Sequence, residues 1–368
     1  MGEILSRATL RGALAQVRHV TPVRPSGAPD PVAAVYAQVE RDFGMLAPPV
    51  VLHSPAPGVL AAAWAVLRES LLASGAASRA LKEVVATVVS LGNSCPYCVQ
   101  VHGATLRGLA RGRYAAELAE GRPADIPDPG VRRVAEWARD LGRRDTAVAS
   151  RLPSPPDEAR ELVAVAVAFQ YLNRMVNVFL GDSPLPPEVP ARARPGLMRL
   201  FGLVMSPAAR RAATPGLSVE LLAPAPAASD LAWTAGGDVL AEAFARAAAA
   251  VDAAGERSVP ESVRALVGAA LAAWDGSPPG LGRSWAAGPL SGLPEADRAA
   301  GRLALLTAMA SYQVDDWVVA DYRRTAPSDS ALVELTSWAA MAAARRTGAW
   351  TLAAAAPATA PLTAPATA

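Results

Sequence analysis

The stretch Leu81-Lys-Glu-Val-Val-Ala-Thr-Val-Val-Ser-Leu-Gly-Asn-Ser-Cys-Pro-Tyr-Cys-Val-Gln-Val-His-Gly-Ala-Thr-Leu-Arg-Gly-Leu109 decides the fold and holds most of the reactive chemistry of the chain. Leu81, Val84, Val85, Val88 and Val89 recur at helical spacing, with Glu83 off that stripe. Ser78 stands where a helix needs an N-cap oxygen, and Gly92 breaks the pattern. Asn93 and Ser94 make a turn. Pro96 suits the first position of a new helix, where its missing N–H is no loss, so a second helix begins at Cys95 and runs through Leu109. The stretch therefore reads as a helical hairpin.

On the second helix Cys95, Cys98 and His102 stand at i, i+3 and i+7 and share a face. Cys98 falls in the first turn, where free N–H groups and the positive end of the dipole favour a thiolate, so a substantial thiolate fraction is expected at neutral pH. A thiolate attacks a peroxide oxygen and becomes a sulfenic acid, which a thiol one turn away converts to a disulfide. Glu83, folded back by the turn, reaches Cys98 or His102, and a carboxylate with an imidazole beside a thiol forms an acid/base pair. A zinc site built on Cys95, Cys98 and His102, with His53 or Glu83 as fourth ligand, is the rival reading.

Working outward, the 368 residues carry a net charge of +2 with no block of one sign, which argues against a nucleic-acid footprint. Hydrophobic residues make up 52 %, but proline or charge interrupts every run before a spanning length, so no transmembrane helix and no membrane partner are expected. Met1 to Arg7 holds an early acid and no apolar core of a signal peptide, which points to the cytoplasm. In that reducing setting a Cys-x-x-Cys pair is redox-active or metal-binding more often than structural.

Helices are expected over Ile4–Val17, Pro31–Phe43, Gly58–Leu72, Val131–Leu141 and Ser154–Leu180, the last opened by a capping box of Ser154 and Asp157. Pro48, Pro49, Pro55 and Pro57 predict an extended crossing that carries His53. Trp64, Trp137 and Trp274 read as core. Tyr171, Asn173 and Arg174 lie within an apolar helix, read as structural, with Arg174 paired to an acid. No strand pattern competes.

Gly58-Val-Leu-Ala-Ala-Ala-Trp to Gly75 recurs as Asp238-Val-Leu-Ala-Glu-Ala-Phe to Gly255, and Leu162–Tyr171 recurs as Leu303–Tyr312. Two copies of one helical unit follow. The first offset sets Asp275 opposite Cys95 and Pro278 opposite Cys98, so the second copy has no thiol and completes the core; a ligand site using Asp275, Asp315, Asp316 and Trp317 is the sharper alternative. The expected organisation is helices and crossing over 1–57, a repeat over 58–197, a degenerate repeat over 198–352 and a disordered Ala/Pro/Thr tail over 353–368.

Glu83, Cys95-Pro-Tyr-Cys98 and His102, at these spacings, resemble the signature of the AhpD-like alkylhydroperoxidases of the carboxymuconolactone decarboxylase superfamily, most closely over Gly58–Leu180. The resemblance implies an all-α, AhpD-like fold, here in tandem with a degenerate second repeat, and a homo-oligomer. It implies a hydroperoxide reductase in which Cys98 is peroxidatic, Cys95 resolves, and Glu83 and His102 relay protons, with no cofactor. An external dithiol reductant, lipoylated or thioredoxin-like, would close the cycle. The best-known members carry a histidine where this chain has Tyr97, which the resemblance makes a secondary site residue, as it does His53 from its place near the site. A decarboxylase-like acid/base enzyme needing neither cysteine, or a redox-sensing or metal-binding module, are the alternatives.

Overall fold

A computed structural model describes residues 12–110, 114, 117–118, 120–149, 155–186, 188–236 and 238–355. Its longer helices are α1 (Asp30–Phe43), α2 (Pro57–Leu67), α3 (Arg79–Gly92), α4 (Pro96–Leu109), α5 (Pro129–Asp140) and α6 (Pro156–Phe179). The second half adds α7 (Arg194–Arg210), α8 (Val239–Ser258), α9 (Glu261–Ala273), α10 (Arg298–Ala310), α11 (Asp316–Arg323) and α12 (Asp329–Ala355). No strand occurs among the described residues; one isolated bridge joins Ala73 to Ala213. The fold is all-α.

Two of the predicted start signals, Ser78 and Pro96, act where expected, and two aspartate caps join them. Ser78 Oγ accepts the Leu81 N–H at 3.2 Å. Asp128 Oδ1 caps α5 at the Gly130 and Val131 amides, and Asp238 Oδ1 caps α8 at Ala241. Pro96 opens α4 with Cys95 at the cap position. The capping box does not open α6, which begins at Pro156 with no side-chain cap; Ser154 lies outside the described residues. The tail from 356 and the first half of the helix expected over 4–17 also lie outside them.

The two sequence copies are helical in both places and pack into one continuous core. α2 lies on α8, and α6, buried along most of its length, lies on α12. By length and composition α6 would also suit a membrane, but 89 % of its apolar window is buried inside the protein, as befits a core helix. α7 runs across the boundary expected at 197 and packs on α4 of the first unit. No long helix replaces α4 in the second copy: after α9 the chain loops through Gly276 and Gly280, both at positive φ, and forms only the short helical turns Ser284–Ala286 and Ala287–Ser291. Trp64, Trp137 and Trp274 are buried.

The crossing of Pro48 to Pro57 is not extended. Two prolines at the start of a helix leave its later N–H groups free to bond, and Pro48–Val51 forms a short helical turn, followed by tight turns to α2. His53 ends up fully buried. Arg174 does not meet an acid either. Its Nε donates to Ala308 O at 2.8 Å, its Nη1 to Gln170 O and Oε1 at 2.5 and 2.7 Å, and its guanidinium lies 5.9 Å over the Trp274 ring. Ala308 stands in the last turn of α10, so one of the carbonyls that hold the cation lies at the negative end of a helix dipole. Burial lowers its pKa to about 10, which still leaves it charged.

Candidate active site

The α3–α4 hairpin is closed by its own backbone. Asn93 N–H bonds Val89 O, Ser94 N–H bonds Leu91 O and Cys95 N–H bonds Ser90 O, with Ser94 at φ 51° making the left-handed step. This folds Glu83 against His102. The His102 Nδ1 lies 2.7 Å from Glu83 Oε2, and because a carboxylate only accepts, Nδ1 holds the proton and Nε2 is left as acceptor. Arg79 Nε and Nη2 grip Glu83 Oε1 at 2.9 and 2.7 Å.

Glu83 is 0 % exposed. Burial alone would raise its pKa, but Arg79 and His102 together outweigh that and hold the carboxyl below its usual range. Glu83 thus pairs with Arg79 and His102, while its neighbour Lys82 turns the other way to Glu161, 3.0 Å distant, and to Ala73 O. The His102 ring is fixed from a third side by Phe169, edge to face at 4.6 Å.

Cys95 and Cys98 are both free thiols and both buried. Here the expectation from the helix dipole fails. Burial, and then the hydrogen bond and charge of Cys95, push the Cys98 thiol up, and only a hydrogen bond from Asn173 acts the other way. Desolvation of a fully enclosed sulfur outweighs the dipole, whose worth is about 0.3–1 kcal/mol at exposed helix ends. Burial therefore favours the protonated thiol of Cys98.

Asn173, read from the sequence as structural, lies within hydrogen-bond reach of Cys98. Its Nδ2 donates to Ser90 Oγ at 3.0 Å and its Oδ1 accepts from Asn93 Nδ2 at 3.0 Å, which ties the hairpin turn to α6 beside Cys98. A polar residue in an apolar helix was the available signal. Gln16 and Phe169 gave none, since both join the site only through tertiary packing.

Cys98 and His102, one turn apart, open on a cavity of about 320 Å³. Its other walls include Phe43, Met45 and residues 47–50, Leu67 and Leu71, Val101 of α4, Phe169, Leu172 and Val176 of α6, Phe201 and Met205 of α7, and Gly12, Ala13, Gln16 and Pro184. Among the described residues no arginine, lysine or carboxylate lines it. Tyr97 forms part of the wall and its hydroxyl donates to Gln16 Oε1 at 3.0 Å; burial and the two cysteines raise the phenol's pKa, so it stays protonated.

His53 does not reach this wall. It stacks on Tyr171 at 5.7 Å, its Nδ1 lies 3.2 Å from Val50 O, and burial lowers its pKa to about 4. Among the described residues no three His, Cys, Asp or Glu side chains are grouped to hold a metal. In the second copy Asp275 caps its own turn at Ser277, apart from Asp315, Asp316 and Trp317, which line a separate polar groove.

A relative from Mycobacterium tuberculosis (strain ATCC 25618 / H37Rv), named alkyl hydroperoxide reductase Rv2159c, is 38 % identical over 339 residues, 92 % of this chain and 96 % of that protein. The chain belongs to the carboxymuconolactone decarboxylase superfamily, among its AhpD-like members. The carboxymuconolactone decarboxylase family model itself matches residues 59–140, which hold Glu83, both cysteines and His102. A solved structure from Ralstonia eutropha JMP134, described as an alkylhydroperoxidase AhpD core, overlaps 51 % of this AhpD-like chain and 97 % of its own, at 21 % identity and a TM-score of 0.41. The tandem architecture extends the family domain with a second helical unit that lacks the α4 equivalent.

Proposed function

We propose that the protein is a thiol-dependent hydroperoxide reductase in which Cys98 attacks, Cys95 resolves, and His102 with Glu83 moves the proton. The observation that carries the reading is that Cys98 and His102 share the wall of one apolar cavity, with an ionised Glu83 fixing the His102 tautomer from behind. The name of the Mycobacterium tuberculosis relative agrees with it.

The Cys98 proton passes to His102 Nε2, and the thiolate attacks the terminal oxygen of R–O–O–H. The O–O bond breaks, the alkoxide takes the proton from His102 and leaves as R–OH, and Cys98 is a sulfenic acid. Cys95 then displaces hydroxide from that sulfur, giving a Cys95–Cys98 disulfide and water. An external dithiol returns both thiols and is itself oxidised, so two electrons pass from it to the peroxide. Neither step needs a metal or an organic cofactor. Both sulfurs are buried, so a slender dithiol arm, as on a lipoylated protein, suits the cavity better than a broad thioredoxin-like surface. A reducing cytoplasm would keep the pair poised.

The cavity favours an apolar hydroperoxide. A carboxylated lactone, as a decarboxylase-like enzyme would bind, calls for a cationic receptor, and Arg79 is engaged by Glu83 instead of facing the cavity. With tert-butyl hydroperoxide and dithiothreitol, Cys98→Ser should abolish peroxide consumption; with the peroxide alone and no added thiol, Cys95→Ser should give one turnover and a trappable sulfenic acid. Unchanged peroxide loss in both variants overturns the proposal.

A further inference from the structure

α7 has two apolar faces, and the fold uses one. The inner face closes the cavity with Phe201 and Met205. The outer face carries Leu197, Leu200, Leu203 and Val204, exposed at 38, 56, 66 and 67 %. Their spacing puts them in one stripe, which exposed Pro207 continues. A single exposed leucine is ordinary, but four together on one helix mark a contact surface.

The charge around the stripe is of one sign. Arg192, Arg194, Arg199, Arg210 and Arg211 lie on or beside α7, and no carboxylate occurs in the sequence between Glu188 and Glu220. Elsewhere arginines meet acids, as Arg68 meets Asp42 and Arg345 meets Asp230. These five form no ion pair among the described residues; Arg194, Arg210 and Arg211 donate only to backbone carbonyls.

We propose that α7 seats this outer face on an anionic phospholipid surface, with the leucine stripe at the acyl boundary and the arginines on the phosphates. Leucine on one face with arginine at its flanks and ends is the composition of interfacial helices, and it draws on both apolar burial and attraction to anionic lipid. A second copy offering the same face would set arginines against arginines, which disfavours self-association there. The expectation of no membrane partner came from whole-chain charge and hydropathy, and such averages hide one helix. Because α7 also walls the cavity, docking would set the cavity beside the bilayer; the docking itself holds whether or not the cavity reduces peroxides.

Flotation of the full chain with vesicles of equimolar phosphatidylglycerol and phosphatidylcholine, against phosphatidylcholine alone, tests this. The wild type should float with the anionic vesicles and be released by salt. Leu200→Glu with Leu203→Glu, and separately Arg192→Gln with Arg199→Gln, should each lower the bound fraction about tenfold at unchanged circular dichroism and melting temperature. No wild-type flotation, equal flotation with neutral vesicles, or full binding by either double variant overturns the proposal. A fall in particle mass by light scattering in the leucine variant would assign the face to contact between copies and overturn it equally.

Discussion

Glu83→Gln isolates the proton relay. The amide keeps the shape of the carboxylate but has one acceptor where Glu83 has two. Glu83 serves Arg79 through Oε1 and His102 Nδ1 through Oε2. With its oxygen held by Arg79, the glutamine presents its NH₂ to Nδ1, which must then give up its proton. The His102 proton moves to Nε2, and the acceptor for the Cys98 proton is gone. A positioned base is worth about 10²–10⁴ in rate. Because Cys98 is pushed up by burial and depends on that base, we expect a loss of about 10²–10³ in kcat/KM for peroxide, or about 2.7–4 kcal/mol at 1.36 kcal/mol per decade.

Stability should fall less than the usual loss of about 3–5 kcal/mol for a broken buried pair, since the Arg79 side chain is 19 % exposed and can turn to water. The folded Glu83 titrates below its unfolded value, so its stabilisation is complete above the ordinary carboxylate range, about pH 4.3, and is lost as pH falls through the lower folded value. The gap in unfolding free energy between wild type and Glu83→Gln should therefore narrow on acidification. Stopped-flow peroxide consumption and urea unfolding from neutral to acid pH measure the two effects. Wild-type turnover in Glu83→Gln, or a pH-rate profile for Cys98 alkylation that does not change, refutes the relay.

Alkylation of Cys98 by iodoacetamide in the Cys95→Ser variant should titrate above the range of a free thiol, and a midpoint well below about 8.5 would show that the dipole and not burial governs the sulfur. Asn173→Ala removes the one hydrogen bond that favours the thiolate, leaves Ser90 Oγ with only its bond to Ala86 O and takes the acceptor from Asn93 Nδ2, so alkylation should slow and stability fall by about 1–2 kcal/mol, read by denaturant melts. Tyr97→Phe should leave peroxide turnover within a few-fold, because the hydroxyl serves Gln16 and not a proton path; a hundredfold loss in the same assay would restore Tyr97 to the relay. Gly202→Ala would drive a Cβ into Ala104 O on α4, and pushing α7 off should cost about 1–3 kcal/mol by thermal unfolding, with a widened cavity raising KM for small peroxides.

The sequence by itself determined what short-range chemistry controls. The Ser78 cap, the Gly92–Ser94 turn and Pro96 lie within a few residues of the bonds they make, so the hairpin and the shared helix face of Cys98 and His102 were legible at once. The Glu83–His102 pair followed from the same hairpin. Tertiary structure decided what depends on residues far along the chain. The thiol of Cys98 is raised because α6 and the first helices enclose it, and desolvation by distant neighbours overrode a local dipole. Asn173 reaches the site across 80 residues of sequence from Asn93, so its role became visible only with α6 in place. Arg174 found its partners in the Ala308 carbonyl of α10, in Gln170 one turn back on its own helix and in the Trp274 ring, an answer that no acid-seeking rule supplies. The cavity itself, drawn from the Pro48–Val51 turn, α4, α6 and α7, exists only as packing, and its apolar walls select among chemistries that the motif alone left open.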